Sequence, residues 1–327
     1  MASMTTMLAR LGMSLLNSFI NKQSQSGVLY FHRVLKTPDP FCPDDPTIEE
    51  FDRLLGTLKH FFDITPLASE PTKNKPKLHI TFDDGYLDNY HNALPILKKH
   101  GLKATFFIAT AGISEGFLWQ DELAHWFRHA DESALVKLPS IDNSEKALSP
   151  LNRAHSIPLN ERAAHYHRWI SKLKFMSIVD RQSWLGLIYS TSAPHACTRI
   201  MMTTDMLKHL EALGHEIGAH THTHTILSTL SDQEAKDEIL RSRDELEHIL
   251  EKAPRFFAYP NGLPERDFTQ THQKLVADAG FIGAFSTADG GIGEGSSRLC
   301  APRFLPYRRQ PLLFSLSTAK IMGEKIT

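Results

Sequence analysis

Short β-rich runs bounded by turn signals and separated by helical patterns recur along most of this chain, and that alternation restricts its fold more than any other feature. The runs are 28–32 (VLYFH), 78–82 (LHITF), 104–109 (ATFFIA), 216–219 (EIGA), 255–259 (RFFAY), 282–287 (IGAFST) and 303–305 (RFL). Between them, the pattern from Tyr90 to His100 predicts a helix that Gly101 stops, and 204–213 predicts another that ends before Gly214. Seven strands alternating with helices predict an α/β fold, a parallel barrel rather than a sandwich.

One stretch breaks the rhythm. Residues 114–203 read as helical pieces (119–129, 161–173, 181–189) around a polar loop near 140–158, and are expected to form a helical insert. The barrel is then expected over 28–310, with a helix or tail at 311–327. Residues 1–27 are expected to hold an N-terminal amphipathic helix around 7–20 (MLARLGMSLLNSFI), packed on the body; a membrane-surface position and an export signal are the alternatives. No apolar run approaches the roughly 20 residues that span a bilayer.

Composition narrows the partners. Lys+Arg 36 against Asp+Glu 37 gives a net charge of −1, without the basic excess of a nucleic-acid binder. Three separated cysteines, Cys42, Cys197 and Cys300, exclude a zinc knuckle or a dense disulfide framework and fit a reducing compartment. The expected location is cytoplasmic, with peripheral membrane contact through the N-terminal helix as a variant of it. The sequence leaves the oligomeric state open.

Thr81-Phe82-Asp83-Asp84-Gly85-Tyr86 follows a strand directly, so a parallel barrel would deliver two adjacent carboxylates to its C-terminal face, where active sites form. A turn or helix N-terminus accounts for the same residues. Two neighbouring carboxylates repel, and keeping both ionised usually calls for a cation. Ligands for one are offered by His220 and His224, four apart and expected on one face of a helical turn. With 18 histidines such a pair arises about once by chance, and His125/His129 is a second one. Only His220/His224 emerges from a strand; His215 and Glu216 are read as structural. Phe257-Ala258-Tyr259-Pro260-Asn261-Gly262 reads as a strand and turn that could present a backbone N–H, and His32 ends the first strand, where a core role is the simpler reading.

Together TFDDGY, HTHTH and FAYPNG, in that order and each after a strand, resemble the polysaccharide deacetylase family, also described as NodB-homology or carbohydrate esterase family 4 enzymes. The resemblance covers about 28–306 and leaves the insert outside the common core. It implies a distorted (β/α)7 barrel binding a divalent metal, usually zinc, through Asp84, His220 and His224. It further implies Asp83 as catalytic base, Thr221 in the hydroxyl position of the histidine motif, and Asn261 where the oxyanion amide is offered. Ala258 stands where the family often has an arginine that steadies the base, and Arg303 is the substitute offered here. Leu305-Pro306-Tyr307 lacks the histidine of the usual C-terminal motif. In the circularly permuted deacetylases of poly-N-acetylglucosamine biosynthesis that element lies at the front, and the similar LYFHRV makes His32 the general acid. The implied activity is metal-dependent removal of N-acetyl groups from a sugar in a cell-surface polysaccharide, glycolipid or precursor. The alternatives are an O-acetyl esterase, a small-amide hydrolase, or an inactive carbohydrate-binding protein.

Overall fold

The computed structural model describes residues 24–67, 75–138, 141, 157–192, 197–306 and 309–323. The helix expected around 7–20 and most of the polar loop near 140–158 lie outside them. Among the described residues, the order is β1 (Ser24–Phe31), α1 (Ile48–Phe61), β2 (Asp63–Ile64), β3 (Lys77–Phe82), a π-helical turn (Asn89–Ala93) leading into α2 (Leu94–His100), β4 (Thr105–Ile108), α3 (Ala111–Glu115), α4 (Trp119–His129), α5 (Glu132–Val136), α6 (Leu159–Leu173), α7 (Ile178–Thr191), α8 (Thr204–Ala212), β5 (Glu216–Ala219), α9 (Asp232–Leu250), β6 (Phe256–Ala258), α10 (Gln270–Asp278), β7 (Gly283–Phe285), β8 (Ile292–Gly293) and α11 (Pro311–Gly323). None of these helices is long and apolar enough to cross a membrane.

The sheet runs β7-β6-β5-β4-β3-β1-β8, with β2 also on β3. Every pairing is parallel except β1 with β8. The expected strand at 303–305 is reduced to isolated bridges, Ala301 to Phe285 of β7 and Phe304 to Leu29 of β1. Pro302 and Pro306 flank Arg303 and offer no N–H to a ladder. Because one short segment touches both β7 and β1, the sheet must curl into a half-barrel that this segment bridges. At the front, β1 starts at Ser24, ahead of the expected boundary at residue 28, so residues 24–27 belong to the sheet rather than to an N-terminal helix.

Alternation along the strands sorts the side chains onto two faces. Leu29, Phe31, Leu78, Ile80, Phe82 and Phe106 face the helices and join the main core, where Phe82 stacks on Phe106 with ring centroids 5.1 Å apart. Helix α1 brings Phe51, Leu54, Leu55, Leu58 and Phe61 to that core from one helical face. Its start is fixed by a reciprocal cap: Thr47 N–H donates to Glu50 Oε2 (2.8 Å) and Glu50 N–H to Thr47 Oγ1 (3.3 Å). On the concave face lie Val28, Phe107, Phe256 and Phe285, together with Thr81 and Arg303. Gly218 is required there, because a Cβ would sit 2.5 Å from the Phe107 ring. The insert has a core of its own, built on Leu123, Trp126, Phe127, Trp169 and Leu173.

His215, at the entry to β5, is 4 % exposed, and its Nδ1 accepts the Ala104 N–H at 3.2 Å. Burial, helped by the Lys103 charge, pushes its pKa down to about 4. The folded protein therefore keeps this imidazole neutral. Its contribution is complete above the unfolded-state value near 6.5 and is lost as pH falls toward 4, amounting to about 3 kcal/mol. In His215→Asn, whose side-chain oxygen can accept the same N–H, the stability deficit relative to the parent should shrink by about that much between pH 7 and pH 4 in urea unfolding. Deficits that stay equal across the range would refute this.

Candidate active site

The site forms where β1, β3, β5 and β6 end. After β3 the chain turns sharply: Asp83 N–H donates to Phe31 O (2.8 Å), and then Asp84 and Gly85 both adopt left-handed backbone, φ 73° and 94°. Glycine suits the second of these, since a Cβ at Gly85 would be strained and would press on Ile108 at 3.2 Å. The reversal gives the two consecutive carboxylates different partners.

Asp83, 2 % exposed, turns to the concave face, where Arg303 grips it with two parallel bonds, Nη1 to Oδ1 at 2.6 Å and Nη2 to Oδ2 at 2.8 Å. Arg303 is itself fully buried; its Nε donates to Ser286 O (3.2 Å) and its Nη1 to Thr81 Oγ1 (3.2 Å). Burial pushes the Asp83 carboxyl up, but the Arg303 charge, with His220 and its own hydrogen bonds, holds it below the usual carboxylate value. The guanidinium missing at Ala258 thus arrives from the bridging segment.

Asp84 faces the two imidazoles. Its Oδ1 lies 3.1 Å from His224 Nε2 and 3.4 Å from His220 Nε2. The three residues are the one cluster among the described residues whose donor atoms could share an ion, all within 4.8 Å of one another. Burial opposes ionisation of Asp84, yet the facing imidazoles, His224 foremost, hold it well below the usual range. The histidines converge by a different route from the helical turn expected. Residues 220–226 form an irregular loop in which Thr221 and His224 take left-handed backbone, φ 60° and 56°. Glu238 of α9 holds that loop, accepting the N–H groups of His222 (2.9 Å) and Thr223 (2.8 Å) and the Thr223 hydroxyl (2.8 Å). His220 Nδ1 donates to Ala258 O at 2.7 Å, which leaves Nε2 with its lone pair toward Asp84.

This donor set fits a divalent cation. Two imidazole nitrogens and one carboxylate oxygen converge, and the shared Asp84 Oδ1 is buried without a hydrogen-bond partner, which is costly unless a positive charge sits against it.

Asp84 opens into a cavity of about 640 Å³ that His32 also lines. His32 is half-buried there; its backbone carbonyl accepts Asn89 Nδ2 (2.8 Å), which fixes the strand end that carries it. Asp45 lines the same wall; burial pushes its pKa up to about 6 against the opposing charge of His32. Asn261, φ 61°, follows β6, but its side chain is spent elsewhere, donating to Asp267 Oδ2 (2.7 Å) and accepting from Lys174 Nζ (2.8 Å). It does not line the cavity, so any part it takes falls to its backbone N–H.

Besides the Lys174–Asn261 bond, further side-chain contacts tie the insert to the site motifs. Tyr86 OH donates to Asp121 Oδ1 (2.9 Å), Arg181 Nη2 to Thr225 Oγ1 (3.1 Å), and Gln120 meets His224 Nδ1 (3.2 Å). Sequence reading missed all of them, because a polar residue near a helix start carries no mark of what it will touch. His125 and His129 meet on α4 with tilted rings, 4.4 Å between centroids, and join no third ligand in a metal-capable group among the described residues.

Known proteins resemble this chain in sequence and in fold. A family model for polysaccharide deacetylase matches residues 70–133 and 185–281. The break falls inside the helical insert, and β1 with His32 precedes the match. YxkH of Bacillus subtilis (strain 168), named as a polysaccharide deacetylase, is 45% identical over 51 residues, which are 15% of this chain and only 18% of that relative's length. The solved structure of IcaB from Ammonifex degensii superposes with a TM-score of 0.57 at 18% identity, covering 91% of this chain and 97% of that one. The Streptococcus pyogenes deacetylase PplD, solved in complex with acetate, gives 0.56 at 17% identity, covering 89% and 97%. At these identities the two structures speak for the fold.

Proposed function

The chain belongs to the polysaccharide deacetylase family, and from that premise we propose that it is a metal-dependent hydrolase that removes N-acetyl groups from a sugar of a cell-surface polysaccharide, glycolipid or precursor. The observation that carries this reading is the pairing of an orphaned, buried Asp84 oxygen facing two imidazoles with a second carboxylate, Asp83, kept ionised beside it. Asp84, His220 and His224 would hold the cation, zinc in our reading. When bound, it supplies Lewis acidity, acidifying water and drawing electron density from the acyl oxygen.

The chain's own groups then have separate tasks. Asp83 takes the proton of the attacking water, for which it must be a carboxylate, and the Arg303 pair keeps it one. The backbone N–H of Asn261 donates to the oxygen on which negative charge develops. His32, on the cavity wall, gives a proton to the departing amine, so that acetate and a free amino sugar result. The reading of the chain as an inactive carbohydrate-binding protein rested on the arginine missing at Ala258, and the Arg303–Asp83 pair removes that support. Removal of O-acetyl groups remains the competing chemistry.

Zinc-loaded protein should release acetate from N-acetylglucosamine oligomers, lose that activity after chelator treatment and dialysis, and regain it with added zinc. Absence of release from these oligomers, or release from O-acetylated but not N-acetylated sugars, would overturn the proposal. Activity unchanged after complete metal removal would overturn its metal dependence.

A further inference from the structure

We infer that Gln120, at the start of insert helix α4, is a positioning residue of the metal centre: its carboxamide decides which nitrogen of His224 carries hydrogen, and so whether that ring can act as a ligand. The inference rests on the metal reading above and extends it to a residue outside the family's motifs.

Gln120 is 9 % exposed and lines the cavity beside Asp84. Its Nε2 stands 3.2 Å from His224 Nδ1, while its Oε1 is buried with no hydrogen-bond partner. An amide N–H pointing at Nδ1 needs a lone pair there, which places the ring hydrogen on Nε2, facing Asp84 Oδ1 at 3.1 Å. In that state Nε2 has no free lone pair, and His224 cannot ligate through it. Turning the carboxamide over exchanges its oxygen and nitrogen at almost no steric cost. Oε1 then accepts from Nδ1–H, the lone pair moves to Nε2, and the ring is ready for a cation. Each amide orientation thus pairs with one tautomer. His220 has no such freedom, because its Nδ1 faces the Ala258 carbonyl, which can only accept. The two ligands therefore differ: one is fixed by backbone, the other by a side chain that the insert contributes.

The test is the zinc affinity of metal-free protein, measured by competition with a chromophoric chelator, with thermal unfolding of the metal-free forms alongside. Gln120→Leu should bind zinc 10- to 100-fold more weakly than the parent while unfolding at nearly the same temperature. Gln120→Glu, which can only accept from Nδ1–H, should bind at least as tightly as the parent. A merely structural role would not separate the two variants this way. Should Gln120→Leu not fold, Gln120→Met takes its place. Zinc affinity of the Leu or Met variant within twofold of the parent, or an equal loss in Gln120→Glu, would overturn the inference. A parent protein that binds no more zinc than Asp84→Ala would instead overturn the metal reading.

Discussion

Asp83→Asn should lower acetate release by about 10³-fold or more while leaving zinc affinity within a few-fold of the parent, since in the proposed mechanism the substitution removes the base and not a ligand. The geometry makes the separation clean. Asp83 faces Arg303 on the concave side of the sheet, whereas Asp84 faces the two imidazoles. An asparagine in place of Asp83 keeps one oxygen for Arg303 and turns an NH₂ toward the other guanidinium nitrogen, so the loss of charge comes with some loss of stability. Turnover is therefore to be expressed per folded, zinc-loaded molecule. Turnover within tenfold of the parent would mean that Asp83 is not the base.

Arg303→Met should destabilise the protein by about 3–5 kcal/mol at neutral pH, the cost of leaving a buried charge without its partner. Both side chains are almost completely shielded from water, at 0 % and 3 % exposure, so solvent screening does not reduce this figure. The pH dependence has a definite sign. With Arg303 present, the Asp83 pKa in the folded state lies below its unfolded value, so its contribution is present above about pH 4 and lost as pH falls through the lowered folded value. Without Arg303, only the weaker influence of His220 and His32 opposes burial, and the Asp83 pKa should rise. The charged carboxylate then costs stability, and the deficit of the variant should narrow on acidification as Asp83 takes up a proton. Urea unfolding at pH 7.5 and pH 5 checks both points. A neutral-pH loss below about 1 kcal/mol, or a deficit that widens in acid, would show that the pair does not carry this energy.

Local signals carried the strands and several helices. β1, β3, β4, β5, β6 and β7 were legible as apolar β-rich runs closed by turns, and α4 matches its expected span of 119–129. Helix α1 was missed although its signal was present, in the Thr47/Glu50 cap and the spacing of Phe51, Leu54, Leu55 and Leu58. The apolar residues of 303–305 predict a full strand, whereas Pro302 and Pro306 on either side deny it a ladder and leave isolated bridges at Ala301 and Phe304. Site residues next to a strand end were legible by position, as with Asp83, Asp84, His220 and His224. The irregular path that brings the histidines together was not, since left-handed backbone at Thr221 and His224 is imposed by tertiary contacts such as those to Glu238. Arg303 lies 220 residues from Asp83, and no spacing rule reaches that far; it was named only because a guanidinium was missing elsewhere. Gln120 left no trace at all.

The short stretch from Ala301 to Phe304 stitches β7 to β1 and, between its two stitches, carries the guanidinium that governs Asp83. Fastening and chemistry are thereby written into the same few atoms. A fluctuation that loosens this seam would switch off the proposed proton acceptor well before the rest of the molecule comes apart, so loss of activity on warming should run ahead of loss of secondary structure.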